Sequence, residues 1–261
     1  MPGMPELRTP SPPAVDRALA ILEEVARSKR GLRLPEIALR LGLPKSSTHS
    51  LLVALERQGY LQRNESTRRY MFGPKVFLLA NLALDGTTLR QVAYPALRNL
   101  MQRTDLMVHM AVLDRDQAVL IEQLGPPLTP APMNWLGKRL DLHCTALGKV
   151  LAAFQPQKSW KRFITEHTLT KHNDNTICSP KGFLGELGLT RERGFAVDNE
   201  ELDLSIRCLA APVFDHSSET VAAISVSGST SEVHDGNMED LVPLLTAAAN
   251  SITQHLKAQR T

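Results

Sequence analysis

The stretch Leu34-Pro35-Glu36-Ile37-Ala38-Leu39-Arg40-Leu41-Gly42-Leu43-Pro44-Lys45-Ser46-Ser47-Thr48-His49-Ser50-Leu51-Leu52-Val53-Ala54-Leu55-Glu56-Arg57-Gln58-Gly59 decides the fold of the first part of the chain. Pro35 falls in the first turn of a short helix over 34–41, where an amide has no intrahelical acceptor to lose. Gly42-Leu43 supplies a tight turn. Pro44 opens a second helix over 45–58, and Gly59 stops it. Ile37, Ala38, Leu41, Leu51, Leu52 and Leu55 give the two helices facing apolar sides. Two short helices joined by a glycine-containing turn form a helix-turn-helix.

The flanks complete this unit. Upstream, Val15, Leu19, Leu22 and Val25 fall near helical spacing, with Ala18 and Ile21 beside them. They predict a helix from Ala14 to about Ser28, ended by Lys29-Arg30-Gly31. The first thirteen residues hold five prolines and little apolar pattern, which predicts a disordered lead-in. Downstream, Tyr60–Arg63 predicts a strand, Asn64–Thr67 a turn and Arg68–Phe72 a return strand. A hairpin directly after the second helix is a wing, so residues 14–73 are expected to be a winged helix-turn-helix.

Gly73-Pro74 breaks the pattern. The following helix, Lys75 to about Leu84, is too apolar to stand alone in water, so residues 74–86 are expected to link and dimerise. A longer helix is predicted over Thr88–Thr104. Strands follow at Met107–Leu113 and Ala118–Gln123, and helices at Thr145–Ala153, Gln157–His167 and Pro180–Arg193. Further strands are predicted at Ala196–Asn199, Arg207–Asp215 and Thr220–Ser227, and a closing helix over Asp235–Lys257. Antiparallel strands with flanking helices make residues 87–261 an α+β domain.

Charge divides along the same line. Residues 1–75 hold thirteen Lys and Arg against seven Asp and Glu, a balance of +6, whereas the rest of the 261-residue chain carries −3. A basic small domain beside an acidic larger one points to a polyanionic partner for the first, although a surplus of surface arginine would give the same count. Other classes are excluded. No apolar run reaches the ~18 residues of a membrane helix, and the N-terminus lacks the basic and apolar regions of a secretory signal. Cys144, Cys178 and Cys208 are odd in number and widely spaced, which argues against a disulfide framework and for a reducing, cytoplasmic setting. His109, His143, His167, His172 and Cys178 show no zinc-type spacing in the sequence, and no glycine loop cradles a phosphate, so no metal or cofactor is expected.

A recognition helix reaches base edges from its N-terminal turns. The residues offered there are Lys45, Ser46, Ser47, Thr48, His49 and Ser50, with Arg63, Arg68 and Arg69 on the wing for phosphates or the minor groove. For any one of these arginines, a solvated surface charge is an equally good reading.

Four stretches together carry a family resemblance: Leu43–His49 with Leu51-Leu52; Arg69-Tyr70-Met71-Phe72-Gly73-Pro74; Leu142-His143-Cys144-Thr145-Ala146-Leu147-Gly148-Lys149; and Arg193–Glu201, continuing through Arg207-Cys208 to Ala222–Gly228. In this order they resemble the IclR family of bacterial transcription regulators from about Ala14 to Lys257. The resemblance implies a winged helix-turn-helix, a linker helix and a GAF-like α/β effector-binding domain, assembled as dimers or dimers of dimers. It implies a double-stranded operator as one partner and a small carboxylic or aromatic acid as effector. The matching pocket positions are Ala146, Leu147, Asp198, Cys208, Ser225 and Ser227. Two positions depart from the family pattern: Ser50 stands where arginine is common, and Ser205 where glycine is common.

Those positions have physical roles to play. Ala146 and Leu147 open a predicted helix, whose amides and dipole favour an anion. Ser225 and Ser227 alternate on a strand and share a face. Cys208 is a small polarizable wall, and Asp198, if ionised, accepts from a ligand hydroxyl or a bridging water. The serines would equally suit an edge strand, and a lone cysteine a core. An enzymatic alternative, a DNA-binding module fused to a catalyst built on Cys208, His143 and Asp198, lacks any recognised nucleophile signature, so the chain is expected not to be an enzyme.

Overall fold

The wing and the helix-turn-helix share one small core. In a computed structural model, which describes residues 13–85, 88–126, 136–165 and 168–258, the chain falls into two units, one ending at Gly86 and one beginning at Thr87. In the first, α1 (Pro13–Ala26), α2 (Leu34–Leu41) and α3 (Lys45–Arg57) precede β1 (Leu61–Arg63), β2 (Tyr70–Phe72) and α4 (Pro74–Asp85). Ile21, Val25, Leu32, Ile37, Leu52, Leu61 and Tyr70 form the core, with Leu41, Leu51 and Leu55 packed on it. Gly42 ends α2 at φ 62, the left-handed conformation that a glycine adopts without a Cβ clash. The lead-in expected over 1–13 lies outside the described residues up to position 12, and Pro13 already opens α1.

The wing strands are shorter than the sequence predicts. β1 and β2 pair antiparallel from Leu61↔Phe72 to Arg63↔Tyr70. Asn64 shapes the turn: its side-chain oxygen accepts the amides of Ser66 (3.1 Å) and Thr67 (2.9 Å). Arg68 takes a left-handed φ of 57 and so leaves the strand.

In the second unit, α5 (Thr88–Thr104) leads, among the described residues, into six strands: β3 (Met107–Asp114), β4 (Gln117–Leu124), β5 (Arg139–Leu140), β6 (Ala196–Asn199), β7 (Ile206–Phe214) and β8 (Thr220–Ser229). Their order is β5-β4-β3-β8-β7-β6, with every neighbouring pair antiparallel. Helices cover both faces. One face packs large side chains (Val108, Met110, Leu209, Val213, Ile224, Val226) against α5 and α9 (Met238–Ala258). The closing helix therefore starts after a short 3-10 turn at Asp235–Asn237. β5, only two residues long, is too short to leave a periodic signal in the sequence.

The other face is lined by Ala111, Ala118, Ala196, Ala210 and Ala223 and lies under α6 (Ala146–Ala153), α7 (Gln157–Thr165) and α8 (Pro180–Arg193). Small residues let α6 approach closely, and all eight of its residues are buried. That burial includes Lys149, whose ammonium donates to the Val197 carbonyl (2.8 Å) and to the Glu201 carboxylate. Gly148 is needed for a related reason. A Cβ there would stand 2.6 Å from the Asp141 carbonyl oxygen and from the Leu142 Cα.

Candidate functional site

In the first unit, burial sorts the residues of α3. Lys45, Ser46, His49 and Ser50 are exposed and Ser47 is half-buried. Thr48 departs from expectation. It is fully buried and its hydroxyl donates to the Pro44 carbonyl at 3.0 Å, because helical phase turns position 48, like 52, toward the core. It therefore belongs to the packing of α3 and is not part of its outward face. Pro44 caps α3 without a side-chain hydrogen bond, so amides of the first turn remain open to an anion. Val53 at 45% and Arg57 extend the exposed face. Positions 46, 50, 53 and 57 follow helical spacing, the signal in the sequence that places Val53 and Arg57 on this face. Ser50, where arginine is common, donates its hydroxyl to the Ser46 carbonyl (3.2 Å).

The wing arginines divide as well. Arg68 is exposed, with a long 3.5 Å pair to Glu65. Arg63 is half-buried, its guanidinium 5.7 Å from the Tyr70 ring centre. Arg69 corrects the expectation of a phosphate contact. It donates to the Gly31 carbonyl (2.7 Å) and to Glu36 (3.2 and 3.4 Å), fastening the wing to α2. The Arg33 amide and then the Arg69 charge hold the Glu36 carboxyl below its usual range.

In the second unit, strand register gathers the pocket. Asp198, Cys208 and Ser227 are aligned across β6, β7 and β8, and the next row aligns Ala210, Ser225 and His109 across β7, β8 and β3. This patch faces the start of α6 across a cavity of about 70 Å³ that Leu120, Ala146, Leu147 and Ile206 also line. All six expected pocket residues meet there. Thr145 caps α6 by accepting the Gly148 amide (3.0 Å) and donating to the Asp141 carbonyl (2.7 Å). Ala146 and Leu147 hold the first-turn amides, which have no intrahelical acceptor. Ser205, near the cavity, sits at φ 71, which explains why glycine suits that position.

The pocket's protonation differs from that of open water. Burial is the main cause that raises Asp198, to about 7, and the Glu201 charge adds to it against the Glu201 amide (2.8 Å) and Lys149. Near neutral pH Asp198 is thus present in both forms, and it donates when protonated and accepts when ionised. Burial lowers His109 to about 4 and leaves it neutral. Cys208 is only partly buried as a residue, but its thiol faces Ser227 (3.2 Å) inside the cavity, and burial pushes it up to about 12. His109 was missed because only the β3–β8 register, which the sequence does not contain, sets it opposite Ser225.

His143 does not join Cys208 and Asp198. Its Nε2 lies 2.9 Å from the Thr170 carbonyl and its ring stacks 6.2 Å from His172. Burial holds Cys208 as a thiol at pH 7, and His143, engaged with Thr170, is not the base that the enzymatic alternative places beside it. The fold does bring His143 and His172 together with Asp141 and Cys144, a cluster that spacing along the chain did not reveal.

Residues 14–65 match the IclR helix-turn-helix domain, and residues 81–254 match the family described as bacterial transcriptional regulator IclR C-terminal. The chain belongs to the IclR family. It is similar to the HTH-type transcriptional regulator XynR of Escherichia coli K12, 32% identical over 93% of this chain and 96% of that protein. It superimposes on the crystal structure of Thermotoga maritima IclR with a TM-score of 0.76 at 30% identity, covering 93% of this chain and 98% of that one. An IclR homologue from Microbacterium hydrocarbonoxydans, solved with 4-hydroxybenzoate, shares the fold at TM-score 0.81 and 22% identity, over 94% and 99% of the two chains. This IclR-family chain is accordingly a transcription regulator with an N-terminal helix-turn-helix and a C-terminal effector domain. Among its described residues, no helix is long and apolar enough to cross a membrane.

Proposed function

We propose that this regulator is a cytoplasmic homo-oligomer that binds a pseudo-palindromic operator and releases or tightens it in response to a small organic acid. In this reading, residues 14–73 read DNA. Lys45, Ser46, Ser47, His49 and Ser50 enter the major groove, and Arg63 and Arg68 approach the backbone. Residues 74–86 pair two copies, and residues 87–261 sense the effector.

One observation carries the sensing role. The α6 amides, two serine hydroxyls, a thiol and the partly protonated Asp198 converge on one small cavity, which Asp203 and His109 also line and which holds no Lys or Arg among the described residues. Such a site receives a carboxylate by hydrogen bonds and a helix terminus rather than by an ion pair. The relative's 4-hydroxybenzoate supports an acid as the ligand class. Leu120, Leu147 and Ile206 in the same lining suit the carbon skeleton of a small organic or aromatic acid.

The test is a thermal-shift screen over short and aromatic carboxylic acids, followed by operator binding with and without each hit. A hit is expected to bind stoichiometrically without turnover. The double variant Asp198→Ala, Cys208→Ala should keep operator binding and lose the response. Loss of DNA binding by that variant while folded, or turnover of a hit, sinks the assignment.

A further inference from the structure

Next in sequence to Thr145, which caps α6 and lines the effector cavity, Asp141, His143 and Cys144 meet His172: each presents one ligand atom, and these atoms all lie within 4.8 Å of one another. We propose that these four side chains form a binding site for a single divalent transition-metal ion, best suited to zinc, that fastens the loop bearing His172 to the start of α6.

The ligand set is the first argument. Two imidazoles, one thiol and one carboxylate are the donors of tetrahedral zinc chemistry, and they exclude magnesium and calcium, which take oxygen. A tetrahedral zinc ion holds such atoms roughly 3.4–3.8 Å apart. His172 Nε2 and Asp141 Oδ2 are at 3.0 Å and no two of the four atoms are more than 4.8 Å apart, so shifts of about 1 Å bring them round one ion. Orientation is the second argument. With its Nε2–H donated to the Thr170 carbonyl at 2.9 Å, His143 keeps the Nδ1 lone pair for a metal. A backbone carbonyl on the other ring nitrogen is how ligating histidines are commonly held. Access is the third. Asp141 and His143 also line a separate cavity of about 80 Å³ beside Thr168 and Leu169, and His172 stands at the surface. On binding, Cys144 gives its thiol proton to solvent and ligates as thiolate.

The site touches the pocket through the backbone. The Asp141 carbonyl accepts from Thr145, the cap of the helix whose first turn lines the effector cavity. Metal binding itself is independent of whichever acid the pocket takes.

Full-length protein, stripped by chelator, is titrated with Co2+ alone and with Zn2+ alone. One equivalent per chain is expected. The Co2+ form should show thiolate-to-metal charge transfer in the near ultraviolet and the intense visible bands of tetrahedral cobalt, and Zn2+ should raise the melting temperature. Cys144→Ser should abolish the charge-transfer band. His172→Ala, an exposed change that leaves the core intact, should weaken Zn2+ binding at least about tenfold and carries the test if Cys144→Ser does not fold. Cys178→Ser should change neither signal. Absence of the thiolate band in the parent protein overturns the proposal. So does a Zn2+ affinity that is unchanged in His172→Ala, or a band that vanishes with Cys178→Ser.

Discussion

Asp198 shows how one buried carboxyl sets the chemistry of a pocket. Burial first, and the Glu201 charge after it, lifts it to about 7, well above the value it has in an unfolded chain. The sign of the linkage follows. The folded state binds the Asp198 proton more tightly than the unfolded chain does. The resulting stabilisation is therefore complete below the ordinary carboxylate range and is lost as pH rises through about 7. A carboxylate effector feels the same change. Protonated Asp198 donates to it and ionised Asp198 repels it, so its Kd should rise across pH 6–8. Asp198→Asn keeps a donor and carries no charge, and it should flatten that dependence. Calorimetric titration of a screening hit at several pH values, with chelator present, checks this. An equally steep dependence in Asp198→Asn means that another group titrates.

At the scale of elements, the wing separates stability from recognition. Arg68 points out with one weak partner, while Arg69 is spent on Gly31 and Glu36. Arg68→Ala should weaken operator binding and lower the slope of log affinity against log salt by about 1, with the melting temperature unchanged. Arg69→Ala should instead lower stability by about 1 kcal/mol, since it removes a partly exposed charge-assisted hydrogen bond, and leave the salt slope in place. Denaturation and salt-dependent binding of both variants decide it, and an unchanged slope in Arg68→Ala removes the wing from the interface. The contrast shows what the sequence makes legible. Helix phase, Gly42, the Asn64 turn and the start of α6 depend on neighbours in the chain, so local pattern reveals them. The partners of Arg69 lie 33 and 38 residues away, and those of His143, His172 and His109 depend on strand order and register. Thr48 was misplaced for a simpler cause: a run of polar residues on one helix looks uniformly outward until its rotation is fixed by the core.

For the whole molecule, regulation requires that the effector prefer one arrangement of the assembly, since equal affinity for two arrangements shifts nothing. In the proposed homo-oligomer, α4 is the element that pairs two copies. Phe77, Leu78, Leu79 and Leu82 stand 42–66% exposed on a helix of twelve residues, more apolar surface than a free helix leaves in water. Under the proposed function, a second copy of the helix is the occupant that a pseudo-palindromic operator calls for. Joining two readers makes the second half-site contact intramolecular, which multiplies affinity by about a hundredfold or more without any new DNA contact. Phe77→Glu with Leu78→Glu places charge on that face while leaving the buried cores of both units untouched. Sedimentation should then show a smaller species, operator affinity should fall by about a hundredfold, and a single half-site should bind as before. Effector-induced thermal shift should persist, because the pocket lies wholly within residues 109–227. An unchanged sedimentation coefficient with unchanged operator affinity would show that α4 pairs nothing, and the search for the interface would move to the second unit.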